Sequence, residues 1–373
     1  MPNASDYYVG LMSGTSADGI DAVAVDFSGD HPSILATHSH TIPDEIQQVI
    51  YRLMRPGDSE IDLLGQLDQQ LATLFADAAL SVIDKAGLRS NQITAIGSHG
   101  QTIRHRPLGQ VPHPFTLQIA DPSVIAFNTG ITTVADFRRK DMAAGGQGAP
   151  LAPAIHNAVF RHPDIERFIV NIGGISNITH LHRTADVIGF DTGPGNGLMN
   201  EWIKKHQALE YDDNGRWSAS GTPQPQLLRE LLLHPYFLQP APKSTGREEF
   251  TLDWVESVLS SFSEIPANDV QATLRELTTQ SIAEHIQSQA HTSRYEVYIC
   301  GGGAHNGALM DSLQAKLNPN VVSSTEDLGL HPDWVEGVCF AWLARQTLNQ
   351  RHGNIATVTG ARHDVVLGGV YYV

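Results

Sequence analysis

A short polar turn near the start of the chain carries residue types that bind phosphate. It lies between two apolar runs and is predicted to be the turn of a β-hairpin. Its glycines let the backbone approach a ligand closely, its hydroxyl groups are donors, and successive N–H groups in a tight turn form an anion nest. The predicted phosphate-binding residues are Gly14, Thr15, Ser16, Ala17, Asp18, Gly19, Ile20 and Asp21.

Two carboxylates of this turn, Asp18 and Asp21, would repel phosphate unless a cation lies between. Mg²⁺ prefers carboxylate and phosphate oxygens, so the pattern predicts a magnesium ion at Asp18. The turn is not a Walker A loop, since it lacks Gly-Lys-Ser/Thr, and it is not a Rossmann loop, since a strand follows it. An ordinary hairpin turn rich in glycine and aspartate is an equally good explanation.

The second half of the chain opens with a similar pattern. An apolar strand, Phe168–Ile172, leads into the turn Gly173–Asn177 and a return strand. This turn alone is common turn chemistry, but two such loops facing each other across a domain cleft could hold a polyphosphate from both sides. The predicted contacts are Gly173, Gly174 and Asn177.

A third glycine-rich loop, Gly301–Asn306, follows a predicted strand and precedes a helix. Asn306 stands where G-x-G-x-x-G requires a last glycine, so the dinucleotide fingerprint fails. The bare backbone of Gly301, Gly302 and Gly303 would still let a flat base pack against it. Ligand contact and close helix–strand packing explain these glycines equally well.

Asp191 is the candidate catalytic carboxylate. It is predicted at the end of a strand, before a Gly-Pro-Gly turn, and α/β folds place their chemistry at the carboxyl ends of strands. A helix cap is the alternative, but the next helix begins only near Gly197. We therefore expect a catalytic or metal-binding role for Asp191, with Thr192 beside it as a donor.

Further donors and acceptors could bind a polyol or a sugar acid. His99 and Gln101 are predicted on a loop after a strand, and Arg138 and Arg139 on another, where an arginine fork suits a carboxylate. Glu336 could contact a substrate hydroxyl. The alternatives are a buried imidazole for His99, a solvated arginine pair, and a capping box for Glu336 with Asp333.

Strands and helices alternate along the chain, which indicates an α/β fold. Ser59 and Asp62 are predicted to cap a long helix that stops at Gly87. The small residues of 143–150 suggest a domain boundary, giving domains 1–145 and 146–373. A helix over Asp333–Leu348 could pack back on the first domain.

Composition excludes several classes of function. The 373 residues carry a formal charge of −16, which disfavours nucleic acid and acidic membranes as partners. No apolar run reaches the ~18–20 residues of a membrane helix, and the N-terminal residues do not resemble a signal peptide. Two distant cysteines exclude a disulfide framework and a cysteine-based zinc site. A cytoplasmic protein is expected.

The motifs together resemble those of anhydro-N-acetylmuramic acid kinases. The likeness spans nearly the whole chain in order, and its segments are Gly10–Asp21, Ser98–Thr102, Ala135–Arg138, Gly145–Pro150, Asn171–Asn177, Phe190–Asn196 and Gly301–Asn306. One departure is the small Ala17, where a larger apolar residue is common. The resemblance implies an actin/hexokinase-like ATPase fold, with two related α/β domains around an ATP cleft, and a homodimer.

The resemblance also implies the reaction. The family converts 1,6-anhydro-N-acetylmuramic acid, ATP and water into N-acetylmuramic acid 6-phosphate and ADP, a salvage step for cell-wall sugar. The first two turns would then hold the ATP phosphates with Mg²⁺, Gly301–Asn306 would face the adenosine, and Asp191 would be the general base. His99, Gln101, Arg138, Thr192 and Glu336 are placed at the sugar.

Two other functions remain open from the sequence. One is a kinase of another amino sugar without ether cleavage, which assays on N-acetylmuramic acid and N-acetylglucosamine would identify. The other is a non-catalytic actin-like nucleotide switch, which would hydrolyse ATP slowly whether or not sugar is present. The polar residues around His99, Arg138 and Asp191 argue against a pure switch.

Overall fold

The computed structural model describes residues 6–14, 16–241, 243–246 and 248–373. Thr15, one of the predicted phosphate ligands, lies outside the described residues. The chain forms two compact units. The first comprises the described residues up to Val159 together with Trp334–Val373, and the second is Phe160–Asp333.

Twelve strands are assigned among the described residues. They are β1 Tyr7–Ser13, β2 Gly19–Asp26, β3 Ser33–Thr41, β4 Ala95–Arg106, β5 Phe115–Ile119, β6 Thr133–Ala135, β7 Glu166–Ile172, β8 Ile175–Leu181, β9 Ile188–Pro194, β10 Tyr295–Cys300, β11 Val321–Ser324 and β12 Gly369–Tyr371.

The same part of the chain forms thirteen α-helices. They are α1 Asp44–Leu53, α2 Glu60–Lys85, α3 Pro122–Thr129, α4 Phe137–Ala143, α5 Ala152–Phe160, α6 Gly197–Gln207, α7 Arg216–Ala219, α8 Pro225–Leu232, α9 Leu252–Leu259, α10 Ala267–Gln289, α11 Gly307–Leu317, α12 Val335–Leu348 and α13 Ala356–Thr359. None is long and apolar enough to cross a membrane.

The sheet of the first unit has the order β12-β6-β4-β1-β2-β3, with β5 paired to β4. β1, β2 and β3 form an antiparallel meander because each is joined to the next by a short connection. β4 then pairs parallel with β1, and β6 pairs parallel with β4. The apolar residues of β1 and β2 are buried between the surrounding helices, as their continuous apolar runs predict.

The sheet of the second unit repeats this path in the order β11-β10-β7-β8-β9. β7, β8 and β9 form an antiparallel meander, while β10 pairs parallel with β7 and β11 pairs parallel with β10. The long helix α10 contributes Val270, Leu274, Leu277, Ile282 and Ile286 to the core of this unit, and it also buries polar residues such as Gln271 and Thr279. Two α/β units with one shared strand order confirm the predicted actin/hexokinase-like fold class.

Helix α12 packs directly on the backbone of the first sheet. A Cβ added at Gly10 in β1 would lie 1.9 Å from the carbonyl oxygen of Gly337, and one at Gly97 in β4 would lie 1.9 Å from that of Phe340. Only glycine permits this approach, because a side chain would overlap the helix backbone. The C-terminal residues 334–373 therefore group with the first unit.

The predicted boundary at 145/146 differs from the division in the structure, which falls at 159/160. The small residues of 143–150 are held in place by hydrogen bonds. The carboxylate of Asp141 accepts a bond from the Gly148 N–H at 2.7 Å, and the Gln147 N–H donates to the Thr359 carbonyl at 2.8 Å. The stretch is thus an ordered part of the first unit and not a linker.

Two local predictions are wrong. Ser59 precedes α2 in the left-handed region, with φ of 57°, and makes no side-chain capping bond, so the Ser59/Asp62 pair does not cap the helix. The segment 136–141, predicted as a loop, is mostly helix α4. The helix stop at Gly87 is correct, since α2 ends at Lys85 and Gly87 adopts φ of 68°.

Candidate active site

The first predicted phosphate turn joins β1 to β2, as expected of a hairpin. Met12 pairs with Asp21 at its base, and the Ser13 hydroxyl donates to the Gly19 carbonyl at 2.8 Å. Ala17 is fully buried with φ of 48°, so its small side chain lies beneath the turn. The hydroxyl of Ser16 donates to Asp18 Oδ1 at 2.8 Å, and the Asp18 side chain is exposed.

Gln101 lies inside β4 and not on a loop, because β4 continues through residues 95–106 by pairing first with β1 and then with β5. Its side chain is completely buried. The amide oxygen accepts from the Ser13 hydroxyl at 2.7 Å, and the amide nitrogen donates to the Gly14 carbonyl at 3.1 Å. Gln101 is therefore bonded to the first turn and is not a free donor for a sugar.

His99 also lies within β4, and the predicted loop position is wrong for it as well. It is buried, and its Nε2 accepts bonds from Nε and Nη2 of Arg138 at 3.0 and 2.9 Å. Burial and the nearby guanidinium hold the pKa of His99 well below its usual range. The ring is therefore neutral, with its proton on Nδ1.

Arg138, on α4, is part of the same cluster as His99. Besides the two bonds to the ring, its Nη1 donates to the Gly148 carbonyl at 2.9 Å. Burial lowers the pKa of Arg138, while the charges of Glu336 and other neighbours oppose that shift. Arg139 is more than half exposed and pairs with Asp136 at 3.1 Å, so Arg138 is the better candidate for a substrate contact.

Glu336 lies in the first turn of α12 and does not form the alternative capping box. The residue before the helix is Trp334, with no side-chain capping bond, and Asp333 instead accepts from His305. The Glu336 side chain is exposed, yet desolvation by the surrounding protein raises its pKa, and Arg138 opposes this. Glu336, Arg138 and His99 therefore form one electrostatic cluster in the first unit.

A small cavity of about 20 Å³ with a mixed polar and apolar lining adjoins this cluster. Ser98, His99 and Gln118 are among its lining residues. The hydroxyl oxygen of Ser98 and the Oε1 of Gln118 are buried and make no hydrogen bond among the described atoms. The cavity is large enough for one water molecule, which these two groups would bind, and it is too small for a sugar.

Asp191 lies within β9, which continues to Pro194, so it is not at the end of the strand as predicted. β9 is longer than expected because it pairs with β8 as far as Ile175. The Oδ2 of Asp191 accepts from the Ser244 hydroxyl and from the Thr245 N–H, both at 3.0 Å. These two bonds orient the carboxylate, and its Oδ1 has no bond to the rest of the described chain.

The backbone of Asp191 is held equally firmly. Its N–H donates to the Lys243 carbonyl at 2.9 Å, and its carbonyl accepts from the Tyr236 hydroxyl at 2.7 Å. Burial raises the pKa of the Asp191 carboxyl, and the bonds from Thr245 and Ser244 partly oppose that shift. A fixed, partly desolvated carboxylate of raised pKa is suited to act as a general base.

The second predicted turn is shorter than expected. β7 ends at Ile172 and β8 begins at Ile175, so Gly173 and Gly174 form the turn and Asn177 lies in β8, paired with Asp191. The Gly173 carbonyl accepts from the Asn196 N–H at 2.7 Å, and the Gly174 carbonyl accepts from the N–H groups of Gly195 and Gly197. The turn therefore packs against the start of α6.

The third loop packs on the same part of the second unit. A Cβ at Gly303 would lie 2.4 Å from the Ile172 Cβ, and one at Gly301 would lie 2.3 Å from Asn171 Oδ1. Gly302 lies near the Asn196 side chain. Close packing therefore accounts for Gly301 and Gly303, while the Asn306 side chain caps α11 by accepting from the Leu309 N–H at 3.0 Å.

Thr192 does not offer its hydroxyl to a substrate. The side chain is fully buried, is bonded to the Ser176 hydroxyl, and donates to the Ser176 carbonyl at 3.2 Å. It joins β9 to β8 beside Asp191. We therefore assign Thr192 to holding the strand that carries Asp191.

Several side chains that contact Asp191 or the first turn were not predicted from the sequence. Ser244 and Thr245 hold Asp191 across more than 50 residues of chain, and Gln47 and Tyr51 of α1 bond the carbonyls of the first turn. No local pattern indicates these contacts, because they depend on how the chain returns to each strand.

Comparisons with known proteins decide the family. A family model described as anhydro-N-acetylmuramic acid kinase matches residues 6–373. A protein of that name from Shewanella halifaxensis is 50% identical over 98% of this chain and 99% of its own length. One from Coxiella burnetii is 49% identical over 98% of this chain and 97% of its own. The chain belongs to the anhydro-N-acetylmuramic acid kinase family.

Membership confirms the resemblance drawn from the motifs. Among solved structures, component A of (R)-2-hydroxyglutaryl-CoA dehydratase from Acidaminococcus fermentans aligns with a TM-score of 0.46 and 13% identity. The alignment covers 90% of this chain and 95% of that one. This likeness is too distant to bear on the site, so the family relationship rests on sequence.

Proposed function

We propose that this protein is an anhydro-N-acetylmuramic acid kinase in which Asp191 is the general base. The enzyme takes 1,6-anhydro-N-acetylmuramic acid, ATP and water and yields N-acetylmuramic acid 6-phosphate and ADP, a step of cell-wall recycling and amino-sugar catabolism. It is a phosphotransferase that couples ether hydrolysis to phosphorylation. The observation that supports the assignment is the family match over residues 6–373.

The phosphates of ATP are assigned to the two hairpin turns. In the first unit, the phosphates are assigned to N–H groups of the turn Gly14–Asp21 and to the Ser16 hydroxyl, which in this structure donates to Asp18. In the second unit, the turn formed by Gly173 and Gly174 packs against the start of α6. The N-terminus of this helix favours negative charge. The adenosine is assigned to the loop Gly301–Asn306.

Magnesium fits the residues of the first turn. The Asp18 carboxylate is exposed and is bonded to the Ser16 hydroxyl, and carboxylate oxygens suit a hard cation. No cluster of three or more metal-binding side chains occurs among the described residues, so phosphate oxygens and waters would complete the shell. When bound, the ion would neutralise charge on the phosphates. A homodimer is a further prediction from the family resemblance, and a cytoplasmic location remains the prediction made from composition.

The sugar is assigned to the first-unit cluster of His99, Arg138 and Glu336. The remaining N–H groups of Arg138 suit a sugar carboxylate, and the Glu336 carboxylate can accept a bond from a hydroxyl. His99 fixes the orientation of the guanidinium through its Nε2. This cluster therefore supports binding of an acidic sugar.

Asp191 takes the proton of the attacking water. Ser244 and Thr245 hold one oxygen of its carboxylate, so the other can accept a water proton in a fixed direction. The water oxygen bonds to the anomeric carbon, the bridging oxygen leaves that carbon, and this oxygen takes the γ-phosphoryl group of ATP. Water attack parallels an inverting glycosidase, with phosphoryl transfer in place of the general acid.

The product formed in heavy-oxygen water tests the coupled reaction. We expect one heavy oxygen at the anomeric position and one added phosphate in the same product, detected by mass spectrometry. N-acetylmuramic acid and N-acetylglucosamine serve as control substrates and should give no comparable product. Phosphorylation without the heavy-oxygen label, or equal activity on the control sugars, would show a different kinase reaction.

The dependence of kcat on pH tests the role of the carboxylate. The pKa of Asp191 is raised by burial, and a base must be ionised, so kcat should fall as the pH drops through a pKa above that of an ordinary aspartate. Ser244→Ala removes a bond that lowers this pKa and should shift the acid limb to higher pH. Ser261→Ala, an exposed serine elsewhere, is the control. An unshifted acid limb in Ser244→Ala contradicts the assignment.

A further inference from the structure

Several backbone carbonyl groups of the first turn accept hydrogen bonds from other parts of the protein. The Gly14 carbonyl accepts from the Ala17 N–H at 3.2 Å and from Gln101 Nε2 at 3.1 Å. The Asp18 carbonyl accepts from the Ile42 N–H at 3.1 Å, and the Gly19 carbonyl accepts from the Ser13 hydroxyl. These bonds direct the carbonyl oxygens towards the surrounding chain.

Helix α1 supplies the remaining bonds. Gln47 Nε2 donates to the Ser16 and Ala17 carbonyls at 3.1 and 3.2 Å, and the Tyr51 hydroxyl donates to the Ser16 carbonyl at 2.5 Å. The two residues are four apart, so they lie on the same face of the helix. One face of α1 therefore holds the tip of the turn.

The direction of these carbonyls matters because the N–H and C=O groups of a peptide unit point in opposite directions. A turn binds an anion through its N–H groups only if its carbonyl oxygens point away, and a flipped peptide would present a partial negative charge to the phosphate. Bonds that hold the carbonyls back keep the turn in its binding conformation before the nucleotide arrives, so binding needs less reorganisation.

We propose that Gln47 and Tyr51, together with the buried Gln101, are positioning residues that hold the first turn ready for the nucleotide phosphates. The inference rests on the proposed function of this turn in ATP binding. The three residues act by holding the carbonyls of Gly14, Ser16 and Ala17 away from the ligand.

Packing does not account for Gln47 and Tyr51. The buried residues of α1 are Ile50 and Leu53, while Gln47 is half-buried and Tyr51 is 38% exposed. A change of their polar atoms therefore leaves the apolar contact of the helix intact. If Gln47 and Tyr51 had only a structural role, substituting them would lower the stability of the protein. If they position the turn, substituting them lowers its affinity for the nucleotide.

The test uses Gln47→Met and Tyr51→Phe, singly and combined, because both keep the side-chain size and remove the donors. The adjacent Gln48 is exposed, so Gln48→Met is the matched control, and Tyr372→Phe controls for loss of an exposed phenol. Affinity for ADP and for a non-hydrolysable ATP analogue is measured by calorimetry. We expect about a tenfold weaker Kd in the double variant. The melting temperature and the KM for the sugar should be unchanged.

Wild-type nucleotide affinity in the double variant would overturn the proposal, and so would an equal loss in the Gln48→Met control. A lower melting temperature with unchanged nucleotide affinity would assign the two residues to structure and also overturn it. Failure of the proposed function gives a different result, in which the wild-type protein binds the nucleotide and does not turn over the anhydro sugar.

Discussion

Asp191→Asn is expected to lower kcat by about 10³-fold, since the neutral amide cannot take a proton from water. The amide has the same size as the carboxylate, and its oxygen can still accept the bonds from Ser244 and Thr245. ATP binding should remain near that of the wild type. Single-turnover formation of the sugar phosphate measures the chemical step, and calorimetry measures nucleotide binding.

Stability provides a second readout for Asp191→Asn. Burial raises the folded-state pKa of Asp191 above its unfolded value, so the ionised form at neutral pH is disfavoured by folding and this cost is relieved as the pH falls. The asparagine variant lacks that cost and should melt at the same temperature as the wild type or higher. Asp186→Asn, at an exposed position, is the control. A kcat within tenfold of the wild type would exclude Asp191 as the base.

Asp141→Asn is expected to destabilise the first unit by about 3 kcal/mol, because buried donors lose their acceptor. Asp141 is fully buried, and its Oδ1 accepts from Asn354 Nδ2 at 2.6 Å and from the Thr359 hydroxyl at 2.7 Å. Its Oδ2 accepts from the Gly148 N–H at 2.7 Å. An amide has only one oxygen, so its nitrogen must face one of these donors.

Urea unfolding monitored by circular dichroism measures the loss for Asp141→Asn. Asp84→Asn, an exposed aspartate near the end of α2, is the matched control and should change stability by less than about 0.5 kcal/mol. Unchanged unfolding would show that these three bonds do not hold residues 146–148 to the C-terminal segment.

Much of the fold could be predicted from local pattern. The apolar runs on each side of Gly14–Asp21 and Gly173–Asn177 predicted two hairpins, and both are present. Gly87 and Gly197 were predicted correctly at a helix end and a helix start, because such preferences act within a few residues. The motifs also indicated the family, which the comparisons confirm.

Errors arose where pairing between distant strands decides the structure. The sequence around His99 and Gln101 lacks the alternating pattern of a strand. β4 nevertheless continues through both residues because it pairs with β1 and β5. In the same way β9 extends past Asp191 since β8 pairs with it. Polar residues that look like loop residues can thus lie in a strand when their side chains find buried partners.

The sequence by itself determined the α/β class, the glycine turns and the carboxylate at position 191, because these depend on short-range preferences and residue chemistry. Tertiary structure alone decided which side chains surround them. Ser244 and Thr245 reach Asp191, and Gln47 reaches the first turn, only after the chain has folded back over long separations. Hydrogen bonds depend on distance in space, and spacing along the chain does not encode that distance when loops intervene.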